Sequence, residues 1–323
     1  MEQKESDLMK KTAIFIPAGG LGTRLSPLTD NHPKPCLPIY LDEQGNVRRL
    51  VELQVTHCHR QHAMAYVYIK YFKDQFDFLR GRKDVTLINT EGCTSYEVHR
   101  QAISELIEMG YENSLLLPSD EIIPAHVVTA LLGTVELPDV NAAILCTHHP
   151  VSKTIHYRDQ YNLLTNKAGD PCYDMGIYLS KLAWDTRRNS PIDPKVKELN
   201  IWREIYGEGR EDGSPPEPGV RLCIPDESLK HIDAGTPAPY YEALMKFNRS
   251  RLDGNGNLVF PGAAIHPGTR DSVALPNSDS RSVALDRAII PEGTCIHSPS
   301  EALSIPLCNT DYFGNLDIED YLE

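Results

Sequence analysis

The chain has 323 residues, 41% of them hydrophobic, which leaves room for one large α/β domain and a smaller appendage. With 32 Lys and Arg against 45 Asp and Glu, its formal charge is −13, so broad electrostatic binding to a nucleic-acid backbone is excluded and phosphate recognition has to sit in a local pocket. No apolar run approaches the ~18 residues of a bilayer span, and the charged start Met1-Glu2-Gln3-Lys4-Glu5-Ser6-Asp7 lacks the apolar stretch of a signal peptide. A cytoplasmic protein with no membrane partner is therefore expected, with its 8 cysteines, which form no CxxC pair, held as reduced thiols.

Thr12 to Pro17 (TAIFIP) reads as a buried strand, followed at once by a glycine-rich turn. The pattern predicts a helix from Leu50 to about Met64, strands over Ala65 to Ile69 and Val85 to Asn89, and a helix from Tyr96 to Met109. That last helix should bury Val98, Ala102, Ile103, Leu106 and Ile107 on one face and end at Gly110. Ser114 to Leu117 is the next strand and runs into Pro118-Ser119-Asp120. Strands alternating with helices predict a doubly wound, mostly parallel sheet, whose ligands sit beyond the carboxyl ends of its strands. The glycine turn and Asp120 both fall at such ends.

His57, Cys58, His59 and His62 cluster on the first predicted helix, where His59 and His62 would share a face. An exposed helix is the simpler reading, because a zinc site needs four placed ligands. Gly207 to Gly219 (GEGREDGSPPEPG) reads as a loop, either linker or lid. From Val259 onward a six-residue rhythm places Val259, Ile265, Val283, Ile289 and Cys295 in phase, with Pro261-Gly262 and Pro267-Gly268 one interval apart and Pro291 fitting as well. This predicts a short hexapeptide-type β-helix tail, although Asp271 and Asn277 fill two of its apolar positions. The expected division is a domain over 1–247 and the tail over 248–323.

The chemistry concentrates in Pro17-Ala18-Gly19-Gly20-Leu21-Gly22-Thr23-Arg24-Leu25 and the nearby Pro33-Lys34-Pro35. Glycines directly after a strand let backbone N–H groups approach a phosphate chain. Leu25 stands where a dinucleotide fingerprint needs glycine or alanine, and the Gly-Lys-Ser/Thr of a P-loop is absent. What remains is a glycine loop carrying Arg24, suited to fork onto phosphate oxygens, with Lys34 as a point charge.

The segment Gly19 to Pro38 (GGLGTRLSPLTDNHPKPCLP) resembles the signature of the sugar-1-phosphate nucleotidylyltransferases, among them the glucose-1-phosphate thymidylyl-, uridylyl- and adenylyltransferases and the mannose-1-phosphate guanylyltransferases. Later landmarks extend the resemblance over roughly residues 10 to 247. It implies a nucleotide-binding α/β fold, a nucleoside triphosphate and a sugar 1-phosphate as substrates, and dependence on Mg²⁺. It places Ala18, Gly19, Gly20, Gly22 and Thr23 around the nucleotide, with Arg24 and Lys34 at its phosphates. Asp120, in LLLPSDEII, matches the family's metal-binding aspartate, with Ser119 where glycine is usual. Asp233, in Ile232-Asp233-Ala234-Gly235-Thr236-Pro237, matches the second metal ligand, and Gly176 in Met175-Gly176-Ile177-Tyr178 matches the strand beside the sugar.

Three departures bear on substrates. Glu91-Gly92-Cys93-Thr94-Ser95-Tyr96 replaces the family's Glu and Gly-Thr-Ala run that lines the base, so Thr94 and Ser95 stand in for it beside a bulky Tyr96. The family's Glu-Lys-Pro segment is missing, and Lys167 is the nearest candidate to hold the sugar phosphate. The stretch from Pro150 to Gly176 is short for the family, which admits an unusual acceptor such as a heptose or cyclitol phosphate. Two competing readings are a catalytically silent homologue that binds a nucleotide-sugar and regulates a partner, and an acyltransferase built on the tail with His266 or His297. A homo-oligomer is the expected assembly, with the tail either packing against the catalytic domain or pairing subunits.

Overall fold

The computed structural model describes residues 11–60, 63–91, 95–135, 137–147, 155–158, 164–165, 170–182, 219–223 and 232–306. In chain order the strands are β1 (Thr12–Ala18), β2 (Pro38–Leu41), β3 (Val47–Arg49), β4 (Ala65–Ile69), β5 (Val85–Asn89), β6 (Asn113–Leu116), β7 (Glu121–Ile122), β8 (Ala142–Thr147), β9 (Ile155–Arg158), β10 (Leu164–Thr165), β11 (Asp170–Lys181), β12 (Val220–Cys223) and β13 (Ile232–Asp233). The helices are α1 (Leu50–Arg60), α2 (Ser95–Glu108), α3 (Ala125–Val135) and α4 (Pro237–Phe247).

The central sheet runs β10-β9-β11-β6-β1-β4-β5, with β8 and β12 joined through β11. β6, β1, β4 and β5 are mutually parallel, as are β8 and β12, whereas β11 runs antiparallel to β6, β8 and β9. Alternation along β1 feeds two cores. Ile14, Ile16 and Ala18 pack with Val51 and Val55 of α1 and Val127, Val128 and Leu131 of α3. Ala13 and Phe15 face the other way, onto Val98, Ala102, Ile103 and Leu106 of α2. Helices on both faces are the doubly wound arrangement that the alternating pattern predicts.

Local chemistry sets the helix limits. The Glu52 carboxylate accepts the Arg49 N–H at 2.8 Å, half of a capping box that starts α1. Gly110, at φ +88°, ends the turn after α2, and Pro237 opens α4 at a position that needs no N–H donor. Two expectations are corrected. α1 stops at Arg60, short of Met64, and Ile107 is exposed at 37% because the apolar stripe of α2 already closes through Leu106. In α1, His57 and Cys58 are buried and His59 lies outside, 3.1 Å from Asp84, so the helix is not exposed along its length; His62 lies outside the described residues. Among the described residues no three His, Cys, Asp or Glu gather as a metal site.

The tail forms short coils: β14 (Leu258–Val259), β15 (Ala264–Ile265), β16 (Val273–Ala274), β17 (Asp279–Ser280), β18 (Ala288–Ile290) and β19 (Leu303–Ser304). Leu258 pairs in parallel with Val273, and Val273 with Ile289. On a second face Ala264 pairs with Asp279 and Asp279 bridges to Cys295; on a third Arg270 bridges to Asp286. Each coil therefore takes 15 or 16 residues rather than a strict multiple of six. Val283 drops out of phase for this reason and lies outside the strands. Asp271 and Asn277 are not failed apolar positions but left-handed corners, at φ +43° and +57°. One continuous core joins the tail to the rest: Leu258, Val273 and Ile289 pack with Tyr240 and Leu244 of α4, Leu53 of α1, and Leu25 and Leu37 of the loops after β1.

Candidate active site

The parallel strands β1, β4 and β6 end on one edge, and the loops leaving β1 and β6 meet there. Ala18 closes β1 and is buried. A Cβ at Gly19 would lie 3.1 Å from the Lys70 Cβ, so the glycine loop presses against the end of β4. Gly22 sits at φ +66°, where its own Cβ would meet Lys34 Cβ at 3.0 Å and Thr29 Cγ2 at 3.1 Å. Only glycine satisfies both the backbone and the contact. The Thr29 hydroxyl donates to the Gly22 carbonyl at 2.9 Å and locks that turn. Thr23 and Arg24 then open a 3-10 turn that anchors on buried Leu25.

Lys34 leads a second 3-10 turn, closed by Leu37 N–H to the Lys34 carbonyl at 3.1 Å and by Cys36 N–H to the Pro33 carbonyl at 2.8 Å. Its ammonium is ion-paired to the Asp120 carboxylate. Both side chains are only 14% exposed, so this pair is shielded far better than a surface salt bridge. Cys36, two residues on, is no nucleophile: burial pushes its thiol up to about 12, outweighing the Arg49 charge beside it.

Asp120 and Asp233, 113 positions apart, are brought together by backbone pairing. β7 pairs antiparallel with β13, opposing Glu121 to Asp233, and the Ala234 N–H donates to the Asp120 carbonyl at 2.9 Å. The Gly235 N–H donates to Asp233 Oδ1 at 2.7 Å, an Asx turn that aims the carboxylate. A Cβ on Gly235 would lie 2.6 Å from Asp233 Oδ1, 2.7 Å from Asp120 Oδ2 and 3.0 Å from Arg24 Nη2. Those distances bound the separations among the three groups: two acids and a guanidinium crowd one small space, and Lys34 pairs with the same Asp120 Oδ2. Ser119 is buried and its hydroxyl donates to the Pro17 carbonyl at 3.3 Å, so it ties the segment after β6 to the end of β1.

Gly176 lies in β11, just past the Tyr178–Leu116 pair in the direction of the β6 carboxyl end, within an irregular stretch of the β11–β8 ladder. Ser95 is the first residue of α2. Thr94 and Lys167 lie outside the described residues, as do residues 207–218 of the stretch expected to be a loop. The Lys73 ammonium meets Glu91 at 2.5 Å and, with this carboxylate fully exposed, holds its pKa below the usual range. Reading by motif did not single out Thr29 or the spacer role of Gly235; the signal for the second was present, since its Asp-x-Gly spacing is that of an Asx turn.

Residues 14–150 match the model of the nucleotidyl transferase family. The fold is shared with a protein described as a glucose-1-phosphate thymidylyltransferase from Bacillus anthracis, at 15% identity and a TM-score of 0.55, over 72% of this chain and 94% of that one. It is also shared with a Thermus thermophilus protein described as mannose-1-phosphate geranyltransferase, at 16% identity and a TM-score of 0.56, over 87% of this chain and 92% of that one. No curated protein matches the sequence. Residues 14–150 are thus similar to the nucleotidyl transferase family, and the fold is the one these two solved structures share. No helix among the described residues is long and apolar enough to cross a membrane.

Proposed function

We propose that the protein joins a nucleoside triphosphate to a sugar 1-phosphate, or to a phosphorylated heptose or cyclitol, and releases pyrophosphate. The observation that carries this reading is the convergence of Arg24, Asp120 and Asp233 around Gly235, with Lys34 on Asp120, beside a glycine turn at the carboxyl edge of the sheet. An oxygen of the acceptor phosphate attacks the α-phosphorus, a new P–O bond forms, and the bond to the β-phosphate oxygen breaks. No protein nucleophile is required, because the acceptor phosphate is already ionised at neutral pH. The work left to the chain is positioning and charge stabilisation.

Each side chain has a part in that work. The glycine turn brings backbone N–H groups up to the phosphate chain, and Arg24 and Lys34 hold the departing pyrophosphate. Asp120 and Asp233 offer an oxygen-only donor pair, which fits Mg²⁺, a hard cation that takes one or two carboxylates together with waters and substrate phosphates. When bound, that ion neutralises charge on the donor and acceptor phosphates. The aspartates would hold it, and the pairing of Lys34 with Asp120 supports a place for this lysine beside them. Gly176 and Lys167 are proposed for the sugar-phosphate side, and Thr94 and Ser95 for the base.

The test is a matrix of five nucleoside triphosphates against a panel of sugar, heptose and cyclitol phosphates, read by pyrophosphate release. One pair turning over with pyrophosphate and nucleotide-sugar in equal amounts supports the reading. Nucleotide-sugar binding without turnover of any pair refutes it in favour of a silent, regulatory homologue.

A further inference from the structure

We propose that the C-terminal tail positions Lys34, through Glu292, Arg49 and the Cys36 carbonyl. This rests on the role given to Lys34 above. Arg49, at the end of β3, forks onto Glu292, donating from Nη1 to Oε2 and from Nη2 to Oε1 at 3.0 Å each. The same Nη1 donates to the Cys36 carbonyl. The next residue, Leu50, donates its backbone N–H to the Leu37 carbonyl at 3.0 Å. Arg49 and Leu50 thus hold the carbonyls of Cys36 and Leu37, at the end of the turn that Lys34 opens.

The geometry is directional. Glu292 follows β18 at a corner of the tail, where the Gly293 N–H donates to the Pro276 carbonyl at 2.9 Å and ties this corner to the one before it. The tail in turn is fixed by the apolar core it shares with α1 and α4. The Arg49 and Glu292 side chains are 22% and 12% exposed, so the fork is protected from solvent. The Phe78 ring, 5.8 Å from the guanidinium carbon, packs alongside. A bidentate guanidinium with a third acceptor has its plane fixed, which a lysine cannot reproduce. Gly22 lies close against the Lys34 side chain, since a Cβ on it would come within 3.0 Å of the Lys34 Cβ. The lysine therefore stands beside a glycine loop and a brace that joins two residues 243 apart in the chain.

The experiment compares Arg49→Lys, Glu292→Gln and Lys34→Ala, each alone and the first two also in the Lys34→Ala background, by kcat, KM and melting temperature. Arg49→Lys keeps a charge for Glu292 but gives up the fork; Glu292→Gln is isosteric and tests the brace if the arginine variant folds poorly. The expected result is a fall in kcat of roughly ten- to a hundredfold, as small displacements of a catalytic group produce, with KM for the acceptor and the melting temperature nearly unchanged. In the Lys34→Ala background neither change lowers kcat further, because the effect runs through that lysine. A lower melting temperature with kcat intact would mean a structural clamp only and overturns the relay. So does an equal further loss in the Lys34→Ala background. Parental turnover by Lys34→Ala alone would instead overturn the role of the turn itself, and the relay with it.

Discussion

The anion-binding edge and the tail solve the same steric problem in opposite ways. At the edge, backbone crowding is met by glycine: Gly22 gives way to the Lys34 and Thr29 side chains, and Gly235 to two carboxylates and Arg24. In the tail, left-handed corners are shared between glycine and bulkier residues in stacked rows. Gly256 underlies Asp271, and Gly262 underlies Asn277, so each glycine accepts the side chain of the next coil. Space is reserved for reacting groups in the first region and for neighbouring turns in the second. Substitutions at the edge should therefore cost turnover, and those in the tail corners should cost stability.

After Asp120 itself, the largest break expected is at the cations. Arg24→Ala and Lys34→Ala should each lower kcat by about 10²–10³, the usual loss for one preorganised electrostatic contact, in a steady-state pyrophosphate assay, with circular dichroism unchanged. Next comes Gly235→Ala, whose methyl group would press on the two aspartates at 2.6 and 2.7 Å. It should lower kcat by about 10²-fold, the scale of a misplacement near 1 Å, while the melting temperature moves little. Gly256→Ala sharpens the other side of the comparison. At φ +77° and against the Asp271 carboxylate, it should destabilise by about 1–3 kcal/mol in urea unfolding, with kcat at low temperature within about twofold of the parent by the same account.

The smallest effect concerns acid. Burial raises the Asp253 carboxyl, but hydrogen bonds from Asn257 and Asn255 outweigh it and hold the group below the usual carboxylate range. Asp253 thereby fixes Asn257, which donates to the Thr269 carbonyl at 2.9 Å and accepts the Ser272 N–H at 3.1 Å, joining the first coil to the second. A folded-state value below the unfolded one near ~3.9 gives stability that is present above that pH and lost as pH falls through the lowered value. Thermal melts from pH 6 to pH 3 should show that loss, and Asp253→Asn should make the decline shallower.

Legibility differed between the same two regions. The edge could be read because its backbone demands are local: a strand followed at once by Gly19, Gly20 and Gly22 marks a tight turn at the strand's carboxyl end, where Gly22 takes φ +66°. The meeting of Asp120 with Asp233 was legible only through the family resemblance, since the β7–β13 pair that joins them is two residues long and carries no periodicity. In the tail, period counting held from Leu258 through Ala264 to Arg270 and failed on the return to the first face, where Val273 follows after only three residues. Arg49 gave no signal at all, because its partner Glu292 and the Cys36 carbonyl are set by packing far from it in sequence.

The most direct measurement is pyrophosphate release by Asp120→Ala under saturating triphosphate, acceptor and Mg²⁺, beside the parent chain. The two carboxylates and two cations acting as one cradle predict that release stops while the variant keeps the parent's far-ultraviolet spectrum. Near-parental release from a folded Asp120→Ala protein would contradict that account.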